Sequence, residues 1–144
     1  MGFFSKKGFK AAVEEFAKDL GWQVSELNDT EAVIELNDEQ TLYIDFNEDT
    51  LVFSIPSIAW FETREDIAHE DSTYLLERNA EVKYGFWALV EMEEGWGYVL
   101  YYDQFLPNED FDMDLGSEAV GEIVEGMLEE LDEFDAWWEG AEEK

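Results

Sequence analysis

A change of hydrophobic period is the feature that most constrains the fold of this chain. Apolar residues recur every three or four positions over residues 5–20, and they alternate with polar residues over residues 31–55. The first period is typical of a helix with one buried face, and the second is typical of strands with one buried face. The sequence therefore predicts a helix followed by an antiparallel sheet.

The first helix is expected over residues 5–20, with Ser5 as its N-cap and Gly21 as its C-terminal stop. Residues 22–27 then predict a short strand. Three longer alternating segments follow, separated by Asn- and Asp-containing turns, and Pro56 is expected to end the last of them. These segments predict an antiparallel meander whose buried face contains Ala32, Ile34, Leu36, Leu42, Ile44, Phe46, Leu51, Phe53 and Ile55.

The next part of the chain predicts a second helix and a β-hairpin. The helix is expected over about residues 63–81, with a break near His69. The hairpin strands, Phe86–Met92 and Trp96–Asp103, carry apolar residues on both faces. Strands of this kind are covered on both sides, so we expect another subunit to supply the second cover.

A long amphipathic helix is expected at the end, starting at Asp114 or Ser117 and ending near Trp138. Its apolar stripe contains Val120, Val124, Met127, Leu131, Phe134 and Trp138. The predicted class is therefore α+β, in the order helix, antiparallel meander, helix, β-hairpin and long C-terminal helix. No repeat or long linker divides the sequence, so residues 1–144 are expected to form a single domain.

The charge of the chain narrows its function. The sequence has 8 Lys and Arg against 38 Asp and Glu, which gives a formal net charge of −30. Such a chain does not bind nucleic acid by neutralising phosphates, although it could imitate a nucleic acid. No Lys or Arg occurs from Tyr84 to Glu143. Three explanations remain open: solubility, attraction of a basic partner segment, and a salt-loving host.

The sequence offers little for catalysis. The absence of Cys excludes disulfides, thiolate nucleophiles and cysteine-based metal sites. The sole histidine, His69, has no nucleophile near it in sequence. Asp110, Asp112 and Asp114 resemble the start of an EF-hand loop, but the required glycine falls one residue late, at Gly116. We therefore expect no enzymatic activity, no cofactor and no specific metal site.

The sequence also bears on membranes and location. The longest apolar runs are far shorter than the roughly 20 residues that cross a bilayer. Phe3 and Phe4, with Lys6, Lys7 and Lys10, could lie in a membrane interface, but the anionic remainder of the chain is repelled by anionic lipids. No apolar segment typical of a secretory signal is present at the start. We therefore expect a cytoplasmic protein that does not bind membranes.

A short segment links the chain to a known family. Leu75, Leu76 and Asn79 precede the apolar strand at Phe86, and Leu106–Pro107 follows the next strand. In these residues and in its order of elements, the chain resembles the class I type III secretion chaperones and the related YbjN-type bacterial proteins. The resemblance implies a chaperone-like α+β domain that forms a homodimer through its second helix and later strands. The residues expected at that interface are Leu75, Leu76, Trp87, Leu89, Val99 and Tyr101.

Some apolar residues do not fit the buried face of the meander. Val33, Tyr43 and Val52 alternate opposite to the core residues of their strands, and Trp60 and Phe61 follow. These five residues are either scattered on the surface or form a patch for an extended peptide, rimmed by acids that favour a basic segment. We interpret the chain as a non-catalytic, chaperone-like module that binds a segment of another protein. The alternative is an acidic decoy that imitates nucleic acid and binds a basic partner by charge.

Overall fold

A computed structural model describes residues 8–106 and 115–142. Within these residues, three α-helices and six strands form an α+β fold, which confirms the predicted class and order of elements. The strands make one sheet in the order β1-β2-β3-β4-β6-β5. The pairs β1–β2, β2–β3 and β5–β6 are antiparallel. The elements are α1 (Phe9–Leu20), β1 (Gln23–Leu27), β2 (Glu31–Glu35), β3 (Thr41–Asn47), β4 (Thr50–Phe61), a 3-10 turn (Arg64–Asp66), α2 (His69–Asn79), β5 (Phe86–Met92), β6 (Gly95–Phe105) and α3 (Ser117–Glu142).

The chain divides into two compact units. The first unit contains residues 1–53 and 103–124, and the second contains residues 54–102 and 125–144. Strands β4 and β6 and helix α3 each contribute residues to both units. The single domain expected over residues 1–144 stays a prediction.

In the first unit, α1 and the meander form the core that their periods predict. The helix starts at Phe9, and Gly8 is its N-cap. It ends at Leu20. The next residue, Gly21, has a positive φ of 72° and its N–H bonds the Ala17 carbonyl, as expected of a C-terminal glycine. Ser5, the predicted N-cap, lies outside the described residues. The buried side chains of α1 and the meander are Phe9, Ala12, Val13, Phe16, Ala32, Ile34, Leu42, Ile44, Leu51 and Phe53.

Asparagine side chains fix the turns between the meander strands. The Oδ1 atom of Asn28 accepts hydrogen bonds from the N–H groups of Thr30 and Glu31, at 3.0 and 2.9 Å. Asn37 does the same for Glu39 and Gln40, at 2.8 and 2.9 Å. These side chains replace backbone partners in the turn, which is why the Asn-containing segments interrupt the alternation where the sequence predicts.

The predicted end of the fourth strand is wrong. Strand β4 passes through Pro56 and continues to Phe61. A proline lacks an N–H donor but fits an extended backbone. The next residue supplies a donor instead, since the Ser57 hydroxyl donates to the Tyr98 carbonyl of β6 at 2.8 Å.

In the second unit, aromatic rings gather around Phe134 of α3. The ring of Phe134 lies 4.7 Å from that of Trp87 in β5 and 6.2 Å from that of Tyr98 in β6. Strands β5 and β6 pair antiparallel without a register shift, with Trp87 opposite Leu100. The apolar stripe predicted for the last helix is buried here at Met127, Leu131 and Phe134.

Several predictions concern residues outside the described part of the chain. They are the basic aromatic segment with Phe3, Phe4, Lys6 and Lys7, the aspartates Asp110, Asp112 and Asp114, and Pro107 of the Leu-Pro pair.

Candidate protein-binding surfaces

The described residues hold no group of three or more His, Asp or Glu that could bind a metal ion. His69 is exposed at the start of α2, and its Nε2 lies 3.4 Å from the Thr73 hydroxyl. No helix within this part of the chain is both long and apolar enough to cross a bilayer. The features that stand out are instead two apolar surfaces, one in each unit.

The first surface, which we call the meander surface, is formed by Val33, Tyr43 and Val52. Val33 and Tyr43 are direct cross-strand partners in the β2–β3 ladder. The Tyr43 side chain is 40% exposed, whereas Val33 and Val52 are half-buried. Val52 alternates with the buried residues of β4, so it lies on the face opposite to them. In the first unit, the face of the sheet opposite to the core therefore has these three apolar side chains on its strands.

Carboxylates flank the meander surface on the same face. Glu31 lies directly opposite Asp45, two residues from the Val33–Tyr43 pair. Two like charges in a cross-strand pair repel each other. Partial burial raises the pKa of Asp45, and the charge of Glu31 raises it further. On the other side of the pair, Glu35 lies opposite Thr41 and accepts a hydrogen bond from its hydroxyl at 3.1 Å.

Trp60 and Phe61 belong to the second unit, and they point to opposite faces of β4. Trp60 is 47% exposed. Phe61 is buried and packs edge-on against Tyr98 and Trp138, with ring centroids 5.7 and 5.6 Å apart. Consecutive strand residues alternate between faces, which corrects the assignment of Phe61 to the exposed set.

The second surface is a groove of about 160 Å³ in the second unit. We call it the α2–β5 groove. One stripe of α2 forms one wall, at the helical spacing that places Ser72, Leu75, Leu76 and Asn79 on a single face. Leu89 of β5 lines the other wall. Leu76 is 71% exposed beside this groove, the highest value among the exposed large apolar side chains of the described residues.

Hydrogen bonds fix α2 against the hairpin. The Asn79 amide is bonded to the backbone of Trp87 on β5: its Oδ1 accepts from the Trp87 N–H at 2.6 Å, and its Nδ2 donates to the Trp87 carbonyl at 3.3 Å. The hydroxyl groups of Ser72 and Tyr98 form a hydrogen bond of 3.0 Å, and burial raises the pKa of Tyr98. Ser72 and Asn79, which both line the groove, therefore attach α2 to the hairpin.

A buried ion pair supports the same helix. The Arg78 guanidinium donates to both carboxylate oxygens of Glu130 in α3, and the Trp87 Nε1–H donates to Glu130 Oε2 at 2.9 Å. The hydrogen bonds to Glu130 raise the pKa of Arg78 above its usual value. Arg78 also contacts Glu81 and Glu133, each at 3.3 Å.

The residues predicted at the dimer interface divide into two groups. Leu75, Trp87 and Val99 are buried by their own chain, so their surfaces are already covered within one protomer. Their assignment to a dimer interface stays a prediction. Leu76 is exposed, and Leu89 and Tyr101 are half-buried. The homodimer itself stays a prediction.

Sequence reasoning missed Ile58, Phe86 and Phe105, which are exposed apolar side chains. For Ile58 a signal existed in the sequence. It alternates with Ala59 and Phe61, but the expected end of the strand at Pro56 hid this pattern. The Arg78–Glu130 pair had no local signal, since 52 positions separate its members.

Comparisons with known proteins identify the fold. No protein-family model matches the chain, and no curated protein matches it in sequence. Among solved structures, the crystal structure of YbjN from E. coli, a candidate transcription regulator, is similar to it. The TM-score is 0.66 at 15% sequence identity, and the match covers 90% of each chain. The chain therefore has a YbjN-type fold, which confirms the resemblance to the YbjN-type proteins.

Proposed function

We propose that this chain is a non-catalytic module that binds a segment of another protein on the meander surface. The observation that carries the proposal is the arrangement around Val33 and Tyr43. This apolar cross-strand pair lies between the Glu31–Asp45 pair and Glu35, all on one face. Exposed apolar groups favour burial against a partner, and the flanking carboxylates favour cations.

The arrangement specifies the chemistry of the segment. An apolar residue of the segment would cover Tyr43, and a Lys or Arg next to it would neutralise the repulsion between Glu31 and Asp45. A net charge of −30 adds long-range attraction for such a basic segment.

The structural neighbour is consistent with a binding role. YbjN is described as a candidate transcription regulator, and regulators act by binding other macromolecules. For this chain the strongly negative charge disfavours direct contact with nucleic acid phosphates, so the macromolecule proposed is a protein. A chaperone-like role in the cytoplasm forms part of the same proposal.

The test uses the tagged full chain to capture proteins from a cell lysate, with elution in steps of rising salt. The double variant Tyr43→Ser/Val52→Ser should lose the proteins that survive high salt, because these depend on apolar contact. The matched control is Phe105→Ser, which removes an aromatic side chain of the first unit that is 57% exposed. Circular dichroism checks that all three proteins are folded.

Two results would contradict the proposal. Capture unchanged by the double variant would exclude the meander surface. A broad set of basic proteins that all elute at modest salt, and that the double variant also captures, would mean binding by charge alone. That second result is the one that the acidic decoy predicts.

A further inference from the structure

We propose that the outer edge of β5, together with the α2–β5 groove, is a second binding site, which accepts an extended basic-apolar segment as an added strand. This site lies entirely in the second unit and is separate from the meander surface, so it goes beyond the function proposed above. The occupant is a segment of another protein in which a Lys or Arg stands two positions before an apolar residue.

The backbone of β5 provides the first argument. Residues of an antiparallel pair alternate between those that exchange both hydrogen bonds with the neighbouring strand and those whose N–H and C=O point away from it. The Trp87 N–H and C=O are bonded by Asn79, so Trp87 belongs to the outward set. Because the β5–β6 register has no shift, Leu89 and Glu91 belong to it as well.

Among the described residues, no strand pairs with these outward groups of Leu89 and Glu91. Strand β5 is the last strand in the sheet order of the described residues. The Asn79 amide occupies the edge at Trp87 in the way that a neighbouring strand would. Asn79 therefore limits pairing to the part of the edge that begins at Leu89. Unpaired strand edges of this kind are templates for an added strand.

The α2–β5 groove provides the second argument. The side chains of Leu89 and Glu91 lie on the same face of β5, two residues apart. Leu89 lines the groove together with Leu75 and Leu76 of α2. A residue of the added strand opposite Leu89 would place its side chain beside this apolar groove. The residue opposite Glu91 would place its side chain beside an exposed carboxylate.

Antiparallel self-pairing of two β5 edges is disfavoured in each of the three registers that pair Leu89 and Glu91 with each other or with themselves. If Glu91 of one copy lies opposite Glu91 of the other, two carboxylates meet. If Leu89 of one copy lies opposite Leu89 of the other, Trp87 must pair with Glu91 of the other copy. The Trp87 N–H and C=O are not available for this, because Asn79 already bonds them. If Leu89 lies opposite Glu91, a carboxylate is placed at the apolar groove. A foreign segment with a cation avoids all three costs.

We take the added strand to be antiparallel to β5, as β6 is, and this direction sets the order of residues in the segment. In an antiparallel strand, the residue opposite Glu91 comes before the residue opposite Leu89. The expected core sequence is therefore Lys or Arg, any residue, and an apolar residue. The groove of about 160 Å³ has room for a branched aliphatic side chain but not for a large ligand.

The test is a titration of the isotope-labelled full chain with an acetylated and amidated eight-residue peptide that has Lys-Thr-Ile at its centre, followed by amide NMR. We expect saturable shifts at the amides of Leu89 and Glu91. Replacing the peptide isoleucine by Ser should weaken binding about tenfold, because apolar burial is lost. Replacing the peptide lysine by Glu should weaken it about fivefold.

Protein variants give the matched controls. Glu91→Lys should reverse the preference, so that the peptide with Glu binds more tightly than the peptide with Lys. Leu76→Asn should weaken binding of the original peptide. Ile58→Thr, which changes another exposed apolar side chain of the second unit, should leave binding unchanged. All three positions are exposed, so the variants are expected to fold.

Any of three results would overturn the proposal of a second site at β5. Shifts at Tyr43 without shifts at Leu89 would contradict the second site and leave the meander surface standing. Equal binding of all three peptides would mean charge attraction without strand pairing. Sedimentation of the free chain as a dimer that the peptide dissociates would assign the edge to a second copy of the chain instead.

Discussion

Replacing Arg78 by Met should strongly destabilise the second unit, because it leaves the buried Glu130 carboxylate without its cation. Glu130 is 5% exposed, and its carboxylate accepts hydrogen bonds from Arg78 and from the Trp87 indole. Removal of the guanidinium leaves a buried carboxylate with one neutral donor. Breaking a buried pair in this way costs about 3–5 kcal/mol.

Urea unfolding, followed by far-UV circular dichroism, measures this cost. With an m-value of about 2 kcal/mol/M, the midpoint should fall by about 2 M. The matched control is Arg64→Met. Arg64 is an exposed arginine that lies 5.8 Å from the centre of the Trp96 ring, and its loss should cost no more than about 1 kcal/mol.

A double variant separates the buried charge from a general loss of packing. Arg78→Met/Glu130→Met removes both charges and leaves the Trp87 indole N–H without its acceptor, which costs about 1–3 kcal/mol. It should therefore be more stable than Arg78→Met alone. The reasoning is refuted if Arg78→Met shifts the midpoint no further than Arg64→Met does, or if the double variant is the less stable of the two.

Three more predictions follow from the charges and the close contacts. Because the net charge of −30 causes self-repulsion, the thermal midpoint should rise with added NaCl in a calorimetric series, and a flat or falling series would contradict this. The pKa of Asp45 is raised in the folded state, so its ionisation disfavours folding. Asp45→Asn should therefore raise the thermal midpoint at pH 7. This gain should shrink as the pH falls through the folded pKa, because the wild-type side chain becomes protonated. An equal gain at pH 7 and at pH 3 would show that the charge is not the cause. A Cβ at Gly95 would meet the Phe61 carbonyl oxygen and lie 2.7 Å from the Trp60 ring, so Gly95→Ala should lower the free energy of unfolding by about 1–3 kcal/mol. The control Gly140→Ala has open space around the new Cβ and should not lower it. Equal effects of the two variants in thermal unfolding would contradict this prediction.

Local periodicity was sufficient to predict most of the fold. The alternation of β2 and β3 fixes which residues are buried, since a shift of one residue would turn Ile34 and Leu42 to the surface. The turn residues are equally local, because Asn28 and Asn37 bond the backbone within three positions. These features need no knowledge of the rest of the chain.

Features that depend on distant residues could not be predicted. Strand β4 continues through Pro56, and the Ser57 hydroxyl that follows donates to the Tyr98 carbonyl of β6, a partner that lies 41 positions away. The exposure of Leu76 and the burial of Leu75 depend on where α2 docks, which the Asn79–Trp87 bonds decide. The meander surface was predicted in part: Val33, Tyr43 and Val52 follow from alternation, whereas Phe61 required the continuous register of β4.

The central claim is that a segment of another protein binds the meander surface. The most direct measurement replaces Tyr43 by the photo-crosslinker benzoylphenylalanine in the tagged full chain, irradiates the captured complex, and identifies the linked peptide by mass spectrometry. The same replacement at Phe105 is the control. We predict a crosslink at position 43 to a segment that has an apolar residue next to Lys or Arg, and no such product at position 105. Crosslinks of equal yield at both positions, or to segments without a basic residue, would contradict the claim.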